Sequence, residues 1–102
     1  MRMVVMFDLP VGTSSQRRAA ARFRTFLIQD GYSMMQFSVY VRICNGIDAV
    51  AKHRARVEAE VPQNGSVRVL VVTDKQFASM DILTGSYIIA DISASDAQIG
   101  FF

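Results

Sequence analysis

The sequence contains no tryptophan, one cysteine, one histidine and two prolines. A single cysteine excludes an internal disulfide and fits a reducing compartment. Cys44 follows an apolar strand that ends in Ile43, so it reads as an ordinary buried thiol. His53 lies on a charged helix with no second histidine and no nearby cysteine. It therefore reads as a surface residue and a poor metal ligand. Neither a Ser–His–Asp nor a Cys–His set can be assembled. There is no Walker loop, no GxGxxG and no CxxC, which removes the usual nucleotide and redox templates. No apolar run approaches the ~20 residues that a bilayer span requires. The opening MRMVVMFDLP has too short an apolar run for a signal peptide and lacks a small-residue cleavage site. The expected location is cytoplasmic.

What is present is a chain of 102 residues that is 51% apolar, enough for one domain spanning 1–102 with a real core. A domain of that size is only moderately stable and has a reason to dimerise. Its net charge of +2 hides an asymmetry. Residues 1–56 hold nine Lys/Arg against three Asp/Glu, and residues 57–102 hold two against six. A basic half implies a polyanion on one face. The acidic half serves solubility or meets a basic partner.

The hydrophobic pattern alternates between strand and helix. Arg2–Phe7 is apolar on both faces and predicts a central strand. Pro10 and Gly12 punctuate a loop, and a helix is expected over Ser14–Asp30. Thr13 and Gln16 have capping-box spacing, and Gly31 sits where a left-handed C-cap belongs. Ala19, Phe23, Phe26 and Leu27 share its inner face. Tyr32–Ile43 is too long for one simple strand, so a bulge or tight bend is expected near Gln36–Ser38. Asn45 is a candidate N-cap for a second helix over Ile47–Val61, with Ile47, Val50, Ala51 and Val57 inward. Its basic residues have i,i+4 partners in Arg54–Glu58 and Arg56–Glu60. Ser66–Thr73 is a clear strand, and Asp74–Met80 suits one helical turn. Short extended pieces are expected at Ile82–Thr84 and Tyr87–Ala90, with a last strand at Ala97–Phe102. The order is that of a ferredoxin-like β-α-β-β-α-β domain with an extra C-terminal strand, free to pair with a second protomer's edge.

One segment carries chemistry. The first strand stops at a lone carboxylate, Asp8, and the helix after it opens with Arg17 and Arg18 and continues through Arg22 and Arg24. No Asp or Glu lies between Thr13 and Gln29 to pair with them. The helix dipole disfavours cations in its first turn. A phosphate would resolve that conflict, because helix N-termini and arginine forks both bind it. A solvated face is the alternative reading. Asp8 is equally open: it is either a strand stop or a metal ligand. One carboxylate is thin for Mg²⁺, and a two-fold dimer would double it. Gln36, Ser38 and Tyr40 fall on one strand face by period two.

Four motifs in order carry a resemblance. They are VVMFDLP, the Phe23-Arg24-Thr25-Phe26-Leu27 helix, Gln36–Tyr40 (QFSVY) and Lys75-Gln76-Phe77-Ala78. Together with the VRVLVVT strand they make the chain similar, over essentially its whole length, to the CRISPR-associated Cas2 family. The nearest branch is the one that accompanies single-effector nuclease systems. The resemblance implies a homodimer whose C-terminal strand crosses to its mate. It implies a scaffold of spacer acquisition that bridges two dimers of the Cas1 integrase and supports duplex protospacer DNA. It also implies, as the alternative, a Mg²⁺-dependent endonuclease of RNA or DNA. On that reading Asp8 is the metal aspartate, shared across the dimer, and Ser38 and Tyr40 match the polar positions tied to activity. Arg17 and Arg18 match basic DNA contacts, and geometry extends the set to Arg22, Arg24, Arg42 and Lys75. A ferredoxin-like RNA-binding module is a weaker reading, since the RNP-like motif it needs is missing. A small-ligand regulatory module would want Gly-rich loops, for which only Gly12 and Gly85 are candidates.

Overall fold

The computed structural model describes residues 1–85. The apolar first segment forms β1 (Arg2–Asp8), an inner strand as its composition requires. It pairs antiparallel with β3 (Val39–Ile43) on one side and β4 (Ser66–Val72) on the other. The short β2 (Ser33–Gln36) pairs with the outer side of β3. The sheet order is β2-β3-β1-β4. This is the ferredoxin-like arrangement, made by two β-α-β crossovers interleaved in one sheet.

The helix α1 (Ser14–Gln29) starts with the capping box expected from Thr13 and Gln16. Gln16 N–H donates to Thr13 Oγ1 at 3.1 Å, and Thr13 N–H donates to Gln16 Oε1 at 3.0 Å. Gly31 follows with φ of +93°, and its N–H donates to the Ile28 carbonyl, closing the helix. A second helix, α2 (Ile47–Glu60), and a one-turn helix, α3 (Asp74–Ala78), complete the described residues.

The core lies between one sheet face and the helices. Met3, Val5 and Phe7 of β1 pack with Phe23 and Leu27 of α1, Val57 of α2, and Tyr32, Tyr40 and Cys44. Phe7 meets Phe23 edge-on at 5.2 Å and stacks on Tyr40 at 5.6 Å. Burying each of the large side chains contributes about 2–3 kcal/mol. By alternation the other sheet face carries Arg2, Val4, Met6 and Asp8 from β1, and Ser66, Arg68, Leu70 and Val72 from β4.

The tight bend expected near Gln36–Ser38 is present: between Gln36 and Val39 the chain turns back on itself, Ser38 takes φ of +64°, and the β2–β3 register shifts between Met34 and Gln36. Several other expectations need correction. Asn45 is not the N-cap of α2. Gly46 holds that position with no side-chain cap. Ile47 is 77% exposed and Ala51 is also exposed, so neither faces inward. His53 takes the inward position instead, and at 6% exposure it is not a surface residue. Arg56 turns from Glu60 to Asp30, at 2.8 Å. On α1 it is Ala20, not Ala19, that is fully buried. Ile82–Thr84 forms no strand. The expected extended pieces at Tyr87–Ala90 and Ala97–Phe102 lie outside the described residues.

Candidate nucleic-acid interface

Three loops and a helix start converge at one end of the sheet. β1 finishes there at Asp8, β4 begins there opposite it with Ser66, and the β2–β3 turn and the first turn of α1 adjoin them. The turn is tied to β1 by the backbone, since Phe7 N–H donates to the Ser38 carbonyl at 3.1 Å. This bond places Ser38 beside the strand end that carries Asp8. The fold therefore brings together two of the residues picked from sequence, Asp8 and Ser38.

The approach of β4 depends on Gly65. A Cβ at this position would stand 2.7 Å from the Asp8 carbonyl oxygen and 2.9 Å from Leu9 Cδ2, and the backbone already has φ of +99°. Only glycine suits that close packing against the end of β1. The sequence presents Gly65 only as a helix stop after Pro62. Its contact with Asp8 becomes visible once the strands are paired.

The arginines of α1 stand close by in chain and space. Arg17 and Arg18 are exposed in the first turn, and Arg22 is exposed further along. Arg17 NH1 donates to the Val11 carbonyl at 3.1 Å, which leans that side chain over the loop leading from Asp8. Among the described residues, none of Arg17, Arg18, Arg22 and Arg24 has a carboxylate within ion-pair distance. The first turn of α1 contains no acidic residue. Arg17 and Arg18, with no carboxylate partner among the described residues and close to the positive start of the helix, make an arrangement that suits phosphate, with exposed Arg22 further along.

The other expected residues are placed differently. Tyr40 is 4% exposed in the core, and burial raises its phenol pKa, with Arg24 opposing. Gln36, Ser38 and Tyr40 do not share a strand face, because the turn separates them. Arg42 and Lys75 lie at the far end of the sheet. Arg42 pairs with Met3 near the start of β1, and Lys75 follows the end of β4 on α3. Arg42 is taken up internally. Its NH1 donates to the Asp30 carbonyl, its Nε donates to the Ile43 carbonyl, and its guanidinium lies 5.7 Å from the Tyr32 ring centre.

No cluster of three or more His, Cys, Asp or Glu able to hold a metal occurs among the described residues. At this end of the sheet Asp8, exposed at the end of β1, is the carboxylate the described residues offer a hard cation. That donor fits Mg²⁺ as half a site, since the ion keeps most of its waters and takes one or two carboxylates.

An antiparallel β2-β3-β1-β4 sheet covered by helices on one face defines a ferredoxin-like protein, with a basic helix beside its exposed strand-end carboxylate. Residues 1–80 match the family described as CRISPR associated protein Cas2, and the chain belongs to that family. It is 55% identical over 102 residues, covering 100% of both chains, to a protein of Acidovorax ebreus named CRISPR-associated endoribonuclease Cas2. A Campylobacter jejuni protein of the same name is 36% identical over 102 residues, which span 100% of this chain and 71% of that one. The crystal structure of Streptococcus pyogenes Cas2 at pH 6.5 superposes with a TM-score of 0.63 at 15% identity, covering 82% of this chain and 100% of that one. At that identity the likeness supports the fold.

Proposed function

We propose that this Cas2-family chain works in the cytoplasm as a homodimeric scaffold of spacer acquisition, binding duplex DNA through its phosphates and bridging Cas1 integrase dimers. The observation that carries this reading is the set of arginines on α1 that have no carboxylate partner among the described residues, with Arg17 and Arg18 near the positive end of the helix. Phosphate contacts supply affinity without sequence readout, as a scaffold for arbitrary protospacers requires. A phosphodiesterase normally assembles several metal ligands or a general base, and the described residues gather no cluster of three or more metal-ligating side chains around Asp8.

A second reading is a Mg²⁺-dependent endonuclease. It is favoured by the proximity of Ser38 to Asp8 and by the name endoribonuclease that the relatives carry. Asp8 from each of two copies would hold the ion, and Ser38 would offer its hydroxyl to a phosphate oxygen. Mg²⁺ bound there supplies charge stabilisation to the phosphoryl group.

One experiment separates the readings. Binding of the purified chain to a short duplex is followed across a salt series, with and without Mg²⁺, and the same samples are examined for cleavage of the duplex and of a single-stranded RNA. Steeply salt-dependent binding with intact nucleic acid supports the scaffold. Cleavage that disappears in Asp8→Ala moves the endonuclease to first place. Absence of binding at any salt overturns the phosphate-binding reading.

A further inference from the structure

The helix α3 spans five residues, far too few to be stable alone, so its place depends on what holds it. Phe77 is its half-buried residue, and the other four are exposed. The Arg2 guanidinium lies over the Phe77 ring, 4.6 Å from the centroid. Arg2 Nε is buried without a hydrogen-bond partner and faces Asp74 Oδ1 at 3.4 Å. The Met1 ammonium meets the same oxygen at 3.2 Å and donates to the Cys44 carbonyl at 3.1 Å. A cationic nitrogen shut off from water depends on its ring and its carboxylate together. These contacts tie α3 to the start of β1.

The side from which they do so decides where the chain goes next. Met3, Val5 and Phe7 face the helices, so Arg2 extends on the opposite face, beside Val72, its partner in register. Phe77 therefore meets β1 from the side that α1 and α2 leave open. The chain then runs on with Met80, Ile82 and Leu83 exposed, Leu83 at 94%. Leu70, on the open face of β4, is also exposed. Neither covers the other within one chain. An apolar strap and an apolar face on the same chain, each uncovered, are the two halves of an isologous contact. We propose that Arg2, Asp74 and Phe77 form a clamp that sets the path of the chain leaving the domain, and that a second copy docks through that path, residues 80–83 of each copy meeting the open face of the other. The proposal rests on the homodimer of the reading above and names the contacts that order it. The competing role for the three side chains is local packing of a one-turn helix.

The test follows the full chain, Arg2→Ala, Phe77→Ala, Phe77→Tyr and the Arg2→Ala/Phe77→Ala double variant by sedimentation over a concentration series. Amide exchange is read by mass spectrometry at concentrations where the chains are dimeric. Phe77→Ala is expected to raise the dimer dissociation constant about tenfold and to speed exchange in residues 79–85, with α1 and β3 as protected as in the wild type. Arg2→Ala should do the same. The double variant should dimerise no worse than either single one, because the two side chains act as one contact. Phe77→Tyr keeps the ring and should match the wild type. If Arg2→Ala and Phe77→Ala dimerise with wild-type affinity, the clamp is overturned and the homodimer stands. If weaker dimerisation comes with faster exchange throughout α1 and β3, the three side chains only pack the fold and the clamp also falls. A wild-type chain that stays monomeric at every concentration removes the homodimer, and the clamp with it.

Discussion

His53 on α2 and Asp30 at the end of α1 meet at 2.9 Å, Nδ1 to Oδ2, and tie the two helices together over β3. Burial alone would raise the Asp30 pKa. The hydrogen bonds from His53 and Arg56 outweigh it and hold the carboxyl below its usual value. With the carboxylate ionised, Nδ1 must carry the proton and donate, since Asp30 can only accept. Arg42 NH1 stands 3.2 Å from the same nitrogen and donates to the Asp30 carbonyl.

Acid should therefore loosen the helix pair. A carboxyl whose folded pKa lies below its unfolded value contributes stability above that unfolded value. The contribution is lost as pH falls from about 4 through the folded pKa. Urea midpoints of the wild type should drop over that range. Asp30→Ala should reduce the acid dependence and cost about 2–4 kcal/mol at neutral pH, since it leaves the buried His53 Nδ1 without its acceptor and takes away the partner of Arg56. A midpoint in Asp30→Ala equal to wild type would contradict the account.

The alkaline limit has a different origin. Burial pushes the Tyr32 phenol up to about 12, Asp30 adds to the shift, and Arg42 opposes it. The folded form therefore holds the proton longer than the unfolded chain. Its contribution is complete below pH 10 and is lost as pH rises from about 10 towards 12. Tyr32→Phe should flatten stability across that window. Its cost at neutral pH should be small, because the hydroxyl's contact is Met3 Sδ at 4.0 Å. Ultraviolet titration joined to denaturation at each pH measures both.

Gly65 offers a structural handle on the candidate site. Gly65→Ala forces a Cβ towards the Asp8 carbonyl and into an unfavourable φ, at an expected cost of about 1–3 kcal/mol. Because the strain falls on the end of β1, Asp8-dependent metal or nucleic-acid binding should weaken more than the stability loss alone accounts for. Isothermal titration below the unfolding temperature separates the two effects.

Replacing Arg17 and Arg18 together by alanine should lower the salt slope of duplex binding by about 2 and leave the fold intact, since both side chains are exposed. Circular dichroism serves as the control. An unchanged slope would make the α1 face a solvated surface.

These outcomes also mark how far the sequence could be read. The capping box at Thr13, the inner position of β1 and the left-handed Gly31 were legible because each depends on neighbours within a few residues. Asp8 was legible as the lone carboxylate at a strand end. The position of Ser38 beside it depends on a backbone bond to Phe7, across 31 residues of chain. His53 was misread for the same reason. Its partner Asp30 lies on another helix, and no local pattern tells a charged helix face from one that meets a carboxylate.

On the proposed function, the unanswered positive charge at the start of α1 gives the protein a thermodynamic memory of its ligand. Unbound, that helix end carries an electrostatic tension which a bound polyanion would release, so the melting temperature should climb with the concentration of nucleic acid in the sample. On the proposed function the same tension sets stability against binding: a library of variants sorted for heat resistance alone would be expected to trade Arg17 and Arg18 for glutamates and to give up affinity for nucleic acid with them.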